Sequence, residues 1–131
     1  MIRRFPVDLL LNGGDGTTDP DFRRLLADAR ARGVPVVAAR AGEELRAGGL
    51  AIRVLSPAPR PPGPPPEDPN PRAVVAIVRS GSFELMLSAD AESPTLAGLA
   101  LPDVDAIKVP HHGSADPGLA DVLERLRPEV A

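Results

Sequence analysis

The only two histidines of the chain, His111 and His112, lie side by side directly after an apolar segment that ends at Val109. About twenty residues earlier, another apolar segment, residues 83–87, is followed by Asp90. If both segments are neighbouring strands, the carboxylate and the imidazoles meet at one edge of a sheet. Carboxylate oxygen and imidazole nitrogen bind divalent metals such as zinc. The spacing therefore predicts part of a metallohydrolase site.

Each of these residues also has a purely structural interpretation. Asp90 precedes Ser93-Pro94, a predicted helix start, so its carboxylate could cap that helix or form a turn. Two adjacent histidines cannot both point into an apolar core, because neighbouring side chains in an extended loop diverge. One would face a site and the other would support it. The residues alone leave open whether Asp90 is a ligand and which of His111 and His112 is one.

Two other kinds of site are only weakly indicated. Ser114 follows His112 closely, but no Gly-x-Ser-x-Gly turn is present, so a serine hydrolase is not predicted. Residues 13–16, Gly-Gly-Asp-Gly, follow a predicted strand but lack the glycine spacing of phosphate-binding loops. Their aspartate would also repel a phosphate. Nucleotide binding is therefore not expected.

Composition limits the remaining classes of function. The 131-residue chain has a formal net charge of -3, so it has no basic excess that would clamp nucleic-acid backbones nonspecifically. It has no cysteine, which means that any metal must be held by oxygen and nitrogen. No apolar run approaches the roughly 20 residues of a membrane span. With no Trp or Tyr, the core must be built from aliphatic side chains.

Short strands alternate with helices along the chain, which predicts an α/β domain whose sheet-edge loops carry the site. The first helix is predicted from its N-cap, Asp19, to Gly33 beyond its end. Asp116 is predicted to cap the last helix, which Pro128 stops. The other predicted elements are strands at 7–11, 34–38, 50–54, 73–78, 83–87 and 106–109, a helix at 93–100, and the start of a strand at 130–131.

A proline-rich segment at residues 57–71 interrupts this alternation. Proline fixes an extended backbone and lacks an N–H donor, so we expect an extended loop outside the core. A role as a ligand for a proline-binding domain is the less favoured alternative. Because the alternation continues on both sides of the loop, residues 1–131 are expected to form one domain.

From Val7 onward the chain resembles the metallo-β-lactamase-fold domain of the ComEC family of competence proteins, which mediate DNA internalisation in natural transformation. The most specific match is residues 104–114, with an aspartate-alanine pair, a strand and His-His-Gly-Ser. The resemblance implies a partial metallo-β-lactamase-like fold, a mixed sheet with flanking helices, truncated at both ends. The other matching segments are residues 41–43, 50–57, Asn70, 73–78 and 83–92.

The resemblance also implies roles for the site residues. Asp90 would bridge two metal ions, His112 would bind the second metal, and His111 would be the catalytic residue that contacts the substrate or the ligands. The cofactor would be zinc or another divalent metal, and the reaction would be phosphodiester hydrolysis in the DNA strand that is not imported. Partners would be DNA and a membrane channel domain of the same or a neighbouring polypeptide. The domain would lie outside the cytoplasm at the cell membrane.

The chain also departs from the family pattern. The family has glycine immediately before the aspartate, where this chain has Ala89; if that position needs a positive φ, alanine costs about 1 kcal/mol there. A metal motif rich in histidine and aspartate is expected before Val7, and a Gly-His-Pro-like segment after Ala131; neither is present. We therefore expect a hydrolase fragment that binds metal weakly and is inactive alone. The alternative is a degenerate, non-catalytic module that docks to a membrane DNA channel.

Overall fold

The computed structural model describes residues 4–14, 19–60, 62–64 and 66–131. Asp15 and Gly16 of the glycine-rich segment, and Pro61 and Pro65 of the proline-rich segment, lie outside the described residues. The fold is mixed α/β. Its elements are β1 (Leu10–Asn12), α1 (Pro20–Ala31), β2 (Val36–Ala38), β3 (Glu44–Ala47), β4 (Leu50–Ser56), β5 (Val75–Ser80), β6 (Phe83–Leu87), α2 (Ser93–Ala97), β7 (Ala106–Lys108) and α3 (Leu119–Leu126).

The first three elements form a parallel pair, β1 and β2, joined by α1. The prediction for α1 is confirmed: the Asp19 carboxylate accepts a hydrogen bond of 2.8 Å from the Phe22 N–H at its start. Both flanking strands begin later than predicted, at Leu10 and Val36. Pro35 precedes Val36 and has no N–H to donate, so the regular pairing starts only after it.

The other five strands form one mixed sheet in the order β3-β4-β5-β6-β7. The first four strands are antiparallel: two-residue turns join β3 to β4 and β5 to β6, whereas the long proline-rich segment joins β4 to β5. The last pair, β6 and β7, is parallel because α2 carries the chain back across the sheet. The carboxyl ends of β6 and β7 therefore lie at the same edge of the sheet.

The core lies between one face of this sheet and the helices α2 and α3. Alternate residues of the strands point to that face, so they are buried against Leu96, Val122 and Leu126. The opposite face is also apolar and only partly covered: Val54 and Ala76 there are buried, whereas Leu50 and Phe83 are 39% and 49% exposed. The buried strand residues are Val75, Ile77, Met86 and Ile107.

The predicted cap of the last helix is wrong. Helix α3 begins at Leu119, and Asp116 lies in the preceding turn. The Asp116 carboxylate instead accepts hydrogen bonds from the Ser93 N–H (2.8 Å) and from the Ser93 hydroxyl (2.5 Å). These bonds hold the pKa of Asp116 below its ordinary value. Asp116 therefore ties the start of α2 to the turn before α3.

The ends of three other predicted elements are also corrected or confirmed by the fold. Helix α2 ends at Ala97, before the predicted limit of residue 100. In the 57–71 segment, the described residues 58–60, 62–64 and 66–69 are exposed, as predicted, but Pro57 is buried and Asn70–Arg72 form a 3-10 turn. Val130 forms a parallel bridge to Ala106, as expected for the start of a strand.

No helix within the described ranges is long and apolar enough to cross a membrane.

The packing of α3 on the sheet gives a testable consequence. Leu126 is fully buried in the core, whereas Leu25 on α1 is 37% exposed. We expect Leu126→Ala to lower the free energy of unfolding by about 3 kcal/mol, because it leaves a cavity. The control substitution Leu25→Ala should lower it by less than about 1 kcal/mol. Urea denaturation measures both values, and equal losses would contradict this account of the core.

Candidate functional site

Asp90 and His112 meet where β6 and β7 end. The last residues of these strands, Leu87 and Lys108, are paired in parallel register, so the loops that follow leave the sheet together. Asp90 Oδ1 lies 3.4 Å from His112 Nε2. The predicted proximity of these two residues is therefore confirmed.

The separation of these two atoms suits a shared metal ion. Zinc ligands lie about 2.0–2.1 Å from the ion, so two ligand atoms of a tetrahedral site are about 3.3 Å apart. An ordinary N–H···O hydrogen bond is shorter, at about 2.7–3.2 Å. The side chains of Asp90 and His112 are 39% and 79% exposed, so the space between them is open to solvent. The pair presents one oxygen and one nitrogen atom of the kinds that bind zinc.

A tight turn holds Asp90 in this position. The Ala91 N–H donates to the Ser88 carbonyl over 3.1 Å, which makes Ala89 and Asp90 the two central residues. Ala89 has a φ of 48°, the left-handed conformation that glycine adopts most easily. The interpretation of Asp90 as a helix cap is wrong, because α2 begins at Ser93 with Glu92 as its N-cap. The alternative that Asp90 forms a turn is correct.

The two histidines also lie in a left-handed turn, with φ values of 44° for His111 and 55° for His112. This corrects the expectation of an extended loop. The His111 N–H donates to the Ala89 carbonyl over 3.1 Å, which fixes the turn against the one that carries Asp90. The two imidazoles diverge, as predicted, and each contacts a different carboxylate.

His111 is paired with Glu92, a residue that the sequence did not single out. His111 Nδ1 lies 2.7 Å from Glu92 Oε1, and the Ser114 hydroxyl donates to the same oxygen over 3.2 Å. The hydrogen bond to Glu92 raises the pKa of His111 above its ordinary value, and the negative charge of Asp90 acts in the same direction. The Ser114 hydroxyl thus gives the Glu92 carboxylate a second hydrogen bond beside that of His111.

Lys108 is a second site residue that the sequence analysis missed. Its ammonium donates to the Ala89 carbonyl over 2.7 Å and lies 3.7 Å from Asp90 Oδ1. In the reverse direction, the Ser88 hydroxyl donates to the Lys108 carbonyl over 2.5 Å. One signal could have pointed to it: Lys108 is the only lysine in a chain with 15 basic residues.

A surface groove of about 320 Å³ begins at Asp90 and Ala89. Phe22, Asn70 and Val74 line its wall, so a bound molecule there would touch apolar and amide groups beside the carboxylate. In the part of the chain that the structure describes, no three histidine, aspartate or glutamate side chains are grouped so as to hold a metal ion. Asp90 and His112 therefore offer two donor atoms for a metal ion.

The left-handed conformation of Ala89 predicts a stabilising substitution. Ala89→Gly should raise the free energy of unfolding by about 1 kcal/mol, because glycine adopts this φ without steric strain. Ala97→Gly in α2 is the matched control and should lower that free energy by about 0.5–1 kcal/mol. Urea denaturation of both variants decides the matter. A loss of stability in Ala89→Gly would show that the turn is not strained.

The Glu92 contact predicts how His111 titrates. Because the folded protein raises the pKa of His111, the protonated form stabilises the fold at pH values below about 6.5, its unfolded value. This contribution is lost as the pH rises through the raised pKa. In Glu92→Gln, an NMR titration of the His111 ring should show a lower pKa. Glu129→Gln, which removes an exposed charge elsewhere, is the control, and identical His111 titrations in the two variants would contradict the assignment.

Sequence comparisons assign no family to this site. The chain matches no protein-family model, and no curated protein matches it significantly. The case for a function depends on the geometry of Asp90, His112, His111 and Lys108 described above.

Proposed function

We propose that this chain carries part of a divalent-metal site in a metallo-β-lactamase-like phosphodiesterase, of the type associated with DNA uptake in the ComEC family. One observation carries the proposal: Asp90 Oδ1 and His112 Nε2 lie 3.4 Å apart at the ends of two parallel strands. An oxygen and a nitrogen ligand that come from distant parts of the chain and lie together in a solvent-exposed position are typical of a metal-dependent hydrolase.

The architecture supports the finer fold assignment. The five-strand mixed sheet has α2 and α3 on one face, and its other face presents apolar side chains such as Leu50 and Phe83. A sheet that is apolar on both faces is suited to a layered fold in which both faces are covered. A metallo-β-lactamase-like fold is proposed on this pattern together with the resemblance of residues 104–114.

Each site residue has a chemical role in the proposal. Asp90 and His112 would hold the divalent ion, which would supply Lewis acidity to a phosphodiester oxygen. Glu92 fixes the orientation of His111 through Nδ1 and favours its protonated form, in which Nε2–H can donate a hydrogen bond to a second phosphoryl oxygen. The groove that begins at Asp90 accommodates the rest of the substrate. DNA is the proposed substrate, and the membrane side outside the cytoplasm is the proposed location.

The number of ligands sets the expected affinity. Catalytic zinc sites use about three protein ligands and an open position, and the large binding free energy of such sites depends on that number. Two donors, Asp90 and His112, should therefore bind zinc weakly. We expect this chain alone to hydrolyse phosphodiesters no faster than the metal ion does in solution.

Calorimetric titration with Zn²⁺ tests the proposal. The wild-type chain should bind with a Kd weaker than about 1 µM, and His112→Ala or Asp90→Asn should abolish the binding. His111→Ala is the matched control: it removes an imidazole that is not a proposed ligand, so it should change the Kd by less than about threefold.

Two results would contradict the proposal. Binding that survives both His112→Ala and Asp90→Asn would place the metal elsewhere, and the absence of any binding at millimolar zinc would favour the non-catalytic docking module. Hydrolysis of bis(p-nitrophenyl) phosphate by the chain well above the zinc-only rate would overturn the expected inactivity. In that case Asp116 would be the first additional ligand to test.

A further inference from the structure

Lys108 is unusual in this chain because every other basic residue is an arginine. It is the last residue of β7, and its side chain is 37% exposed. Lysine carries a compact charge with three donors, whereas arginine carries a broad planar fork. Lys108 therefore places a compact charge with three donors at the strand ends.

The contacts of Lys108 form a reciprocal clasp between the ends of β6 and β7. Its ammonium donates to the Ala89 carbonyl (2.7 Å), while its own carbonyl accepts from the Ser88 hydroxyl (2.5 Å). The Ala89 carbonyl also accepts from the His111 N–H (3.1 Å). Ala89, whose backbone is in the left-handed conformation, is therefore held by two hydrogen-bond donors.

We propose that Lys108 is the positioning residue of the site: its clasp on Ala89 holds the Asp90 carboxylate beside His112. The ammonium lies 3.7 Å from Asp90 Oδ1, so it also keeps that carboxylate turned toward the strand ends. The clasp consists only of contacts within the protein. Its effect on metal binding rests on the proposed function.

A second role for the same ammonium makes the opposite prediction. A positive charge beside Asp90 repels a divalent cation, so a purely electrostatic role would mean that removing it tightens metal binding. A positioning role means that removing it weakens metal binding, because the carboxylate loses its fixed orientation. The sign of the change therefore separates the two roles.

Hydrogen exchange tests the clasp without any metal. In Lys108→Met, the His111 amide should exchange about tenfold faster or more, because its acceptor, the Ala89 carbonyl, is no longer held. The Ile77 amide in the middle of β5 should exchange at the wild-type rate. Lys108→Arg, which keeps the charge, should give a smaller increase, about threefold. Wild-type exchange at His111 in both variants would overturn the proposal.

Zinc titration then tests the effect on the site. Lys108→Met should weaken the Zn²⁺ Kd about fivefold or more, although it removes a positive charge. Arg53→Met removes a positive charge from β4, three strands away, and should leave the Kd unchanged. Tighter binding in Lys108→Met would overturn the positioning role. If the wild-type chain binds no zinc, the proposed function fails, and the exchange of the His111 amide still decides the clasp.

Discussion

The parallel pairing of β6 with β7 is the constraint on which the site depends. Because α2 returns the chain across the sheet, Leu87 and Lys108 end side by side, and both loops leave the sheet at one edge. Burial of Met86 and Ile107 beneath α2 and α3 fixes this register. A shift of one residue would turn each strand's core side chain to the open face and move Asp90 away from His112.

The loops beyond these strands combine backbone strain with close hydrogen bonding. Ala89, His111 and His112 all have positive φ values, which residues other than glycine rarely adopt. The Ala89 carbonyl accepts from the Lys108 ammonium and the His111 N–H, so the contacts offset the strain where it occurs. Strain of this kind concentrates at functional sites, because it is kept only where the surrounding contacts enforce it.

The sequence predicted every described strand except β3, but it did not predict the contacts at the site. The apolar segments ending at Leu87 and Val109, with Ser93-Pro94 between them, were enough to predict that Asp90 and His112 would meet. The role of Glu92 depends on the left-handed turn at the histidines and that of Lys108 on the turn at Ala89, so neither role follows from the spacing of the residues. The positive φ values of the histidine turn are disfavoured by local propensity, and the turn is accompanied by a hydrogen bond from the His111 N–H to the Ala89 carbonyl.

The proposed sharing of one divalent ion by Asp90 and His112 is tested most directly by identifying the histidine nitrogen atom that binds zinc. Two-dimensional ¹H–¹⁵N NMR of the histidine rings, recorded with and without Zn²⁺, identifies that atom. The account predicts a metal-induced shift of His112 Nε2, while His111 Nδ1 stays protonated and bonded to Glu92. A shift at His111 alone, or unchanged ring nitrogens at millimolar zinc, would contradict it.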